Sequence, residues 1–537
     1  MPLADCIPQD PEQELWDVIV VGTGMGGSTV GYELARRGRR VLFLEKGKFL
    51  HGGPEPQEAT LPMVDAEAEV RLRTGRWPLP LQGETSFGKV DFFAPMGCGS
   101  GGSTTVFGAQ LERFSPADFQ PRANFASVRD ANLPEEWPVP YEEMLPYYRR
   151  AEALYRVCGT PDPLNPDPDA TLREPPPLSE RDQVLHDSLV ALGLHPYRSH
   201  VGFHHVPGCT ECLDLCPRNC KRDAGNTSLL PALTQYGASI LPECEALEVV
   251  SSRSRVTAVR ARRRGKEMRL AAKVLALGAG TFMTPVLLLN SRTPAWRDGL
   301  ANRSGLVGRN LMLHTSDFFT IDHRELYSGE GPNKSLSLND FYFDNGQKLG
   351  TLQAVGLPLR PTAILAYLRY AETRDRRWWR KPVTGLLPLV ADLAARWFHR
   401  ADLFSTIVED LPYRDNQVVA DQTANNGRRF QYTYSRDLHE RNRYFRGRLA
   451  QVLSPRHKVR IVTGGRNNLN YGHACGTCRF GQRPETSVLD RTNRAHELDN
   501  LYVVDASFFP SSGGINPSLT IAANALRVGG IIHDALA

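Results

Sequence analysis

The hydrophobic pattern is clearest near the N-terminus, where an apolar run is followed by glycines and then by apolar positions at helical spacing. Residues 18–21 are apolar and β-branched, as expected for a strand buried on both faces. Residues 28–37 predict a helix, and Gly38 is a typical C-terminal stop. Residues 40–44, which are apolar from Val41 onward, predict a second strand. The pattern therefore indicates a strand–helix–strand unit with a parallel sheet.

The turn after the first strand reads Gly22-Thr23-Gly24-Met25-Gly26-Gly27, a G-x-G-x-x-G motif. In such a turn Gly22 permits the tight bend, Gly24 lets the backbone approach a pyrophosphate, and Gly27 lets the helix pack on the strand. Glu45 ends the second strand, where an acid about twenty residues beyond the glycines accepts hydrogen bonds from a ribose. These positions predict a bound adenine dinucleotide, and this motif leaves both FAD and NAD open.

Further periodic segments follow. Residues 141–155 predict a short helix inside a proline-rich connection, and residues 271–277 predict a strand that enters Gly278-Ala279-Gly280-Thr281 and a helix reaching residue 289. A strand pair is expected over residues 409–421, and a strand over residues 501–507.

Composition narrows the class of protein. The chain has 537 residues, which predicts two or three domains, and its 41% hydrophobic and 23% charged residues are ordinary for a globular protein. Lys and Arg number 64 against 59 for Asp and Glu, so the small excess gives no case for nucleic-acid binding. The first 14 residues hold no apolar signal core, and no uncharged apolar run approaches the roughly twenty residues of a membrane helix. We expect a cytoplasmic enzyme without an integral membrane segment.

Four cysteines lie within twelve residues: Cys209, Cys212, Cys216 and Cys220. Thiolates this dense can ligate an iron–sulfur cluster or zinc, although the spacing has an extra residue in the second gap relative to a ferredoxin run. Two interpretations stay open, an electron-relay cluster and a cysteine-braced loop without metal.

A basic and aromatic stretch lies between residues 374 and 400. Such a stretch can lie on a membrane or meet a partner. The interpretation favoured here is a helix over the site with its long side chains in water. The residues concerned are Arg376, Arg377, Trp378, Trp379, Arg380, Lys381, Arg396, Trp397 and Arg400.

Three more motifs carry a family resemblance. The first is a glycine-rich loop that contains Gly101-Gly102-Ser103. The second is V-G-R-N-L-M-L-H at residues 307–314. The third is H-A-C-G-T-C-R-F-G at residues 473–481, which is followed by N-P-S-L-T at residues 516–520. In this order and spacing the chain resembles the glucose–methanol–choline oxidoreductase family. Phe107 stands where the family has asparagine, and Phe480 replaces the usual methionine.

The resemblance implies an α/β fold: a Rossmann-like FAD-binding domain with an inserted α+β substrate-binding domain built on an antiparallel sheet. The implied order is FAD-binding residues 1–120, a connection with the cysteine-rich loop at 121–224, FAD-binding residues 225–315, the substrate-binding domain at 316–455, and a FAD-binding and catalytic part at 456–537. It also implies FAD as the cofactor, with contacts at Gly102, Ser103, Asp505 and Ala506.

The implied chemistry is alcohol oxidation. A neutral imidazole suits removal of a hydroxyl proton near pH 7, which makes His473 the candidate base. The amide of Asn516 can donate to the alkoxide, helped by the start of the last helix. The motifs look most like the branch that oxidises the primary 6-hydroxyl of aminosugars in aminoglycoside biosynthesis, with O2 as oxidant.

Two alternatives remain at this point. A sugar or polyol dehydrogenase would pass its electrons through a cysteine-bound cluster to another acceptor. The other alternative is a protein that binds flavin or NAD as a partner and has no catalytic activity of its own. The pairing of His473 with Asn516 argues against this second alternative. Both the oxidase and the dehydrogenase interpretation predict a small-molecule alcohol as the substrate.

Overall fold

The architecture is taken from a computed structural model. The structure describes residues 3–51, 67–165, 167, 169–206, 215–216, 218–322, 334–356, 359–375, 385–424, 427–463 and 468–537. Within these residues the helices are Met25–Arg36 (α1), Ala68–Arg73 (α2), Pro121–Asn124 (α3), Tyr141–Tyr155 (α4), Glu180–Val190 (α5), Leu230–Thr234 (α6), Thr284–Asn290 (α7), Pro361–Asp375 (α8), Leu387–Phe398 (α9), Arg436–Leu453 (α10) and Ser518–Ala535 (α11). Short 3-10 turns cover Leu3–Cys6, Gly102–Thr105, Pro116–Phe119, Tyr471–His473 and Ala506–Phe508, and a π-helical turn covers Gly225–Leu229.

The strands within the same described residues form four sheets. In chain order they are Leu15–Val21 (β1), Val41–Leu44 (β2), Leu81–Thr85 (β3), Gly88–Phe92 (β4), Tyr197–Arg198 (β5), Ser239–Leu241 (β6), Cys244–Ser251 (β7), Val256–Arg263 (β8), Lys266–Leu277 (β9), Phe318–Asp322 (β10), Leu336–Leu338 (β11), Phe343–Asp344 (β12), Gln347–Lys348 (β13), Gly350–Ala354 (β14), Ala401–Val408 (β15), Gln417–Ala420 (β16), Arg428–Tyr432 (β17), Lys458–Thr463 (β18) and Leu501–Val503 (β19).

The predicted strand–helix–strand unit lies at the centre of the largest sheet. The strand order is β6-β2-β1-β9-β8-β7, with β19 also paired to β9. Strand β1 runs parallel to both β2 and β9, and its Val18 lies opposite Val41 and Val274. The side chains of residues 18–20 are fully buried, because helices or sheet cover both faces of a parallel strand. The helix begins three residues earlier than the sequence suggested, since Gly26 and Gly27 are themselves helical.

Helix α1 packs against α11 at the far end of the chain. The approach is close because Gly529 of α11 has no side chain: a Cβ there would lie 2.9 Å from Cγ of Glu33 on α1. The start of α1 also meets the segment that follows β19, because a Cβ on Gly26 would lie 1.9 Å from the carbonyl oxygen of Val504. Helix α4 joins the same layer through a hydrogen bond between Tyr148 and Thr520 at 2.8 Å. The glycine turn and the C-terminal segment are therefore held side by side.

A second sheet is antiparallel and has the order β18-β10-β15-β14-β11-β5. Its central strands come from the predicted substrate-binding domain at 316–455. Its edges come from outside that range, because β18 at Lys458–Thr463 pairs with β10 and β5 at Tyr197–Arg198 pairs with β11. A four-stranded sheet, β16-β17-β3-β4, joins the two parts. The predicted fold class, a Rossmann-like domain with an inserted α+β domain built on an antiparallel sheet, is confirmed. The large sheet is mixed, because β7 and β8 extend its parallel strands with antiparallel pairing.

Three local predictions differ from the structure. The strand expected over 501–507 ends at Val503, because Asp505 caps the 3-10 turn Ala506–Phe508 by accepting the Ser507 N–H at 2.9 Å. The expected strand pair over 409–421 is wrong: β15 ends at Val408, and only β16 lies in that range. The Asp410 carboxylate instead accepts hydrogen bonds from the backbone N–H groups of Leu313 and Leu411 at 2.7 and 2.8 Å, and residues 409–413 form no regular structure. The stretch 374–400 is not one helix but the end of α8 and the whole of α9. Its residues 376–384 lie outside the described part of the chain.

Candidate active site

A large cavity lies where the carboxyl ends of β1 and β9 face the antiparallel sheet. Its volume is about 1280 Å³. Pockets for one drug-sized ligand span about 300–1,000 Å³, so this cavity has room for a dinucleotide and a substrate together. Both predicted glycine turns, His473 and Asn516 line it.

The first glycine turn leaves space that a ligand can fill. Gly22 has a φ of +90°, and a Cβ on it would lie 2.4 Å from the carbonyl oxygen of Gly278. A Cβ on Gly24, by contrast, would meet nothing within 4 Å, and Gly24 precedes the first residue of α1. Gly27 packs under the turn, where a Cβ would lie 2.0 Å from the oxygen of Gly22. The three glycines therefore act as predicted for a turn, an open approach and a close packing contact.

Glu45 lines the same cavity, but its carboxylate oxygens already accept four hydrogen bonds from protein groups. Its Oε2 accepts hydrogen bonds from Thr23 N and Oγ1 at 3.1 and 2.6 Å, and its Oε1 accepts from Gly47 N and Gly99 N at 2.8 and 3.1 Å. A carboxylate offers about four acceptor sites. In this geometry Glu45 braces the two glycine-rich segments, and its contact with a ribose stays a prediction.

The four remaining predicted cofactor residues also line the cavity: Gly102, Ser103, Asp505 and Ala506. Gly102 lies against Gly24, because a Cβ on Gly102 would be 2.8 Å from the Gly24 Cα. Asp505 accepts hydrogen bonds from Gly280 N at 2.9 Å and Thr284 Oγ1 at 2.6 Å. Burial raises the pKa of the Asp505 carboxyl above its ordinary value. Through these two hydrogen bonds the Asp505 side chain joins the segment after β19 to the second glycine turn.

Replacing Gly24 with alanine tests this arrangement. The Gly24 φ of −72° suits alanine, and the new methyl group would point into the cavity, so the unfolding temperature of the apoprotein should not change. Overpacking by one methyl group costs about 1–3 kcal/mol, so FAD affinity should fall about 10- to 100-fold. Titration of the apoprotein with FAD measures this. Gly447→Ala in α10, which also meets open space, is the matched control, and an equal loss in both variants would contradict the assignment.

His473 and Asn516 meet at the far end of the cavity. The Nδ2 atom of Asn516 lies 3.4 Å from Nε2 of His473. His473 ends the short turn Tyr471–His473, which Asn470 caps by accepting the Gly472 N–H at 3.2 Å. Asn516 lies two residues before α11 and is buried, and its Oδ1 makes no hydrogen bond within the described residues. The side chains of His473 and Asn516 therefore face the same part of the cavity, and the Asn516 Oδ1 atom is available to a ligand.

A second histidine sets the proton position on His473. His314 Nε2 lies 2.8 Å from the carbonyl oxygen of Gly513 and 3.2 Å from that of Ser512, so Nε2 carries the hydrogen. Its Nδ1 is then an acceptor in the neutral ring, and it lies 3.0 Å from His473 Nδ1. His473 therefore donates from Nδ1 and keeps an unprotonated Nε2 toward Asn516. Asn470 Nδ2 lies at a longer 3.3 Å from His473 Nδ1 and also donates to Ser316 Oγ.

Burial keeps both rings neutral. It lowers the pKa of His314 to about 4. Burial, and then the neighbouring His314, lower the pKa of His473 well below its ordinary 6.5. Near pH 7 the His473 Nε2 is therefore a free base.

A buried charge network lies behind His314. Gly514 donates its N–H to the Tyr342 hydroxyl at 2.9 Å, and that hydroxyl donates to Asp118 at 2.8 Å. The Lys348 ammonium is fully buried between Asp118 and Glu409. Burial alone would lower the pKa of Lys348, but these two carboxylates raise it. The network fixes the turn whose carbonyl groups select the His314 tautomer.

Sequence reasoning placed His473 and Asn516 together but missed the role of His314. The signal was present, because His314 is the last residue of the V-G-x-N-L-x-x-H motif. Phe107, which departs from the family pattern, lines the cavity, with the buried Lys221 ammonium 5.7 Å from its ring. The other departure, Phe480, is buried against Trp137 and Phe508.

The cysteine run is only half described. Cys209 and Cys212 lie outside the described residues, and the Cys216 and Cys220 sulfurs are 3.3 Å apart. The hydrogen bond from Cys220 lowers the pKa of Cys216 to about 5. Within the described residues no group of three or more His, Cys, Asp or Glu side chains could hold a metal ion. The iron–sulfur and braced-loop interpretations both stay open.

A parallel dinucleotide sheet whose cavity ends at a neutral histidine defines an oxidoreductase that binds a dinucleotide cofactor. The chain belongs to the GMC oxidoreductase family, because the N-terminal and C-terminal models of that family match residues 16–316 and 438–525. This membership confirms the predicted family and an enzyme acting on alcohol CH–OH groups. Its cofactor is FAD, and the open space at Gly24 and the free Asn516 Oδ1 fit it.

Two relatives are similar over nearly the whole chain. The 6'''-hydroxyparomomycin C oxidase of Streptomyces lividus is 30% identical, covering 97% of this chain and 92% of that protein. The paromamine 6'-oxidase of Streptomyces fradiae is 26% identical, covering 96% and 91%. The crystal structure of pyridoxine 4-oxidase from Mesorbium loti has the same fold, with a TM-score of 0.64 at 19% identity over 97% of this chain and 99% of that one.

No helix among the described residues is both long enough and apolar enough to cross a membrane.

Proposed function

We propose that this enzyme oxidises a primary alcohol to an aldehyde, with His473 as the base and Asn516 as the donor to the reacting oxygen. The observation that carries the proposal is the 3.4 Å distance between the Asn516 amide and Nε2 of His473, the ring nitrogen that the hydrogen bond to His314 leaves without a proton. Two groups that converge in this way can hold one hydroxyl oxygen between them. A base and a donor on one oxygen suit the removal of its proton.

In the proposed reaction the substrate hydroxyl donates to His473 Nε2 and accepts from Asn516 Nδ2. His473 takes the proton, and the imidazolium charge is shared through Nδ1 with His314. Asn516 stabilises the alkoxide as it forms, and the carbinol carbon releases a hydride. FAD, when bound, supplies the hydride acceptor. Because the cavity end is buried, the charges that develop there interact strongly with the amide and the ring.

The pH profile follows from the lowered pKa of His473. A base acts only while unprotonated, so activity should be full above its pKa and should fall as pH drops through it. Because burial lowers that pKa well below 6.5, kcat/KM should stay level through neutral pH, and its acid limb should lie below pH 6.5. Measuring kcat/KM from about pH 5 to about pH 9 locates the limb. An acid limb centred at or above 6.5 would contradict a buried neutral base.

The substrate proposed is the hydroxymethyl group of an aminosugar, as the names of the two relatives suggest. The substrate end of the cavity supports a hydroxylated ring, because beside the cation Lys334 its described lining has neutral polar side chains and aromatic rings: Ser316, Gln353, Tyr367, Tyr370, Ser405 and Asn468. The carboxylates among the described lining residues are Glu45, Glu245 and Asp505, and each already accepts hydrogen bonds from protein groups. The neutral hydroxymethyl end of the sugar therefore suits the inner position, with its amino groups toward the opening.

A paired substrate screen tests this. Each aminosugar is compared with the same sugar carrying hydroxyl groups in place of its amino groups, and both are compared with simple aliphatic alcohols. Aldehyde formation from the hydroxymethyl sugars is expected. If the enzyme turns over only aliphatic alcohols, the proposed sugar substrate is wrong, although the proposed oxidation of an alcohol still holds.

The proposed oxidant is O2, and the proposed location is the cytoplasm. Free buried thiols such as Cys98, Cys244 and Cys478 support a reducing compartment. An oxidase should form hydrogen peroxide and aldehyde in equal amounts. The alternative dehydrogenase would give no peroxide and would contain iron with an EPR signal of a cluster at the cysteine run. A stoichiometric cluster would overturn the simple oxidase.

A further inference from the structure

The outer side of helix α9 exposes an apolar face. Leu389, Leu393 and Trp397 recur at helical spacing, and they are 58%, 56% and 70% exposed. Leu386 and Val390 are exposed beside them and complete the α9 face. Single exposed leucines are common on proteins, but five apolar side chains along one helix mark an interaction surface.

The α9 face lies next to the substrate cavity. Helix α9 packs against α8, and α8 forms part of the cavity wall with Ala366, Tyr367 and Tyr370. None of the five side chains of the α9 face lines the cavity in the described structure. The helix pair therefore has an inner helix that serves the site and an outer helix with an exposed apolar face.

The charges around this face are mainly basic. Arg396 and Arg400 are exposed at the C-terminal end of α9, and Arg369 is exposed on α8. Lys458 is exposed on β18, whose Arg460 guanidinium lies 5.9 Å from the Trp397 ring. The exposed acid of α9 is Asp392. The excess of positive charge decides which partner fits.

We propose that the α9 face docks this enzyme on an anionic lipid membrane. A membrane offers an apolar interior for the leucines, an interfacial region that favours tryptophan, and phosphate groups for the arginines. A second copy of the chain would bring the same basic side chains together and repel. Twelve residues of helix span about 18 Å, so α9 can lie in the membrane surface without crossing it.

The test measures binding of the FAD-loaded enzyme to lipid vesicles by co-sedimentation. Binding is expected to vesicles of phosphatidylcholine mixed with phosphatidylglycerol, to be weak with phosphatidylcholine alone, and to weaken as salt is raised. The triple variant Leu389→Ser, Leu393→Ser, Trp397→Ser should lower the partition coefficient about 10²-fold, from the apolar surface lost. Arg396→Gln with Arg400→Gln should lower it about tenfold on anionic vesicles only.

Val190→Ser is the matched control, since this valine is 50% exposed on the separate helix α5. Turnover of a water-soluble alcohol and the flavin absorbance should be unchanged in all these variants, which shows that they fold. The proposal is overturned if the wild-type enzyme does not sediment with anionic vesicles, or if the triple variant sediments equally well. It is also overturned if the wild type forms a dimer that the triple variant abolishes, because a second copy then covers the face. None of these outcomes depends on which alcohol is oxidised.

Discussion

Replacing His473 with alanine is expected to lower kcat by about 10²–10⁴-fold, because the hydroxyl proton then has no positioned acceptor. The FAD content should not fall, since the dinucleotide end of the cavity is formed by the two glycine turns and not by His473. Steady-state turnover of the purified variant measures kcat, and its flavin absorbance measures the FAD content. The loss should shrink at high pH, where hydroxide replaces part of the missing base.

His186→Ala provides the matched control, because that histidine lies on α5, away from the described cavity lining. It should keep wild-type kcat. A His473→Ala enzyme that also keeps wild-type kcat would remove His473 from the chemistry. One that loses FAD would show instead that the side chain is part of the cofactor site.

Replacing Asn516 with alanine should lower kcat by about 10²–10³-fold, the usual cost of removing one donor to a developing oxyanion. Asn516→Asp is the sharper variant, because the carboxylate has nearly the same shape but cannot donate when ionised. It should lose at least as much activity, and part should return at low pH as the carboxyl gains a proton. Both variants are measured by kcat at saturating alcohol.

The double variant His473→Ala, Asn516→Ala completes the set. Groups that act on one oxygen are strongly non-additive, so it should lose little more than His473→Ala alone. Fully multiplicative losses would mean that the two side chains act on separate steps. An active Asn516→Asp enzyme at neutral pH would remove the donor role.

The parallel sheet was predictable from the sequence because its signals are local. Residues 18–21 and 271–277 are apolar runs, and each runs into glycines whose backbone must bend or be approached closely. Packing of α1 on α11 was not predictable in the same way. It depends on Gly529 of α11 meeting Glu33 of α1, a contact between residues far apart in the chain.

The candidate site was predicted only in part for a similar reason. His473 and Asn516 carry family motifs, so the sequence could pair them without showing their distance. The tautomer of His473 depends on His314, on the carbonyl group of Gly513, and on the turn that Tyr342 and Lys348 hold. The wrong strand pair after Val408 has a similar cause, because Asp410 bonds to backbone donors that no local pattern reveals.

In the proposed mechanism, a positioned base and an amide donor drive hydride loss from an alcohol carbon inside this cavity. This mechanism is tested most directly by anaerobic mixing of the FAD-loaded enzyme with a primary alcohol substrate and with the same alcohol deuterated at the carbinol carbon. We expect the flavin absorbance to bleach, to bleach more slowly with the deuterated alcohol, and to lose its rapid bleaching in His473→Ala. Bleaching that is insensitive to deuterium and to His473→Ala, or no bleaching with any alcohol, would contradict it.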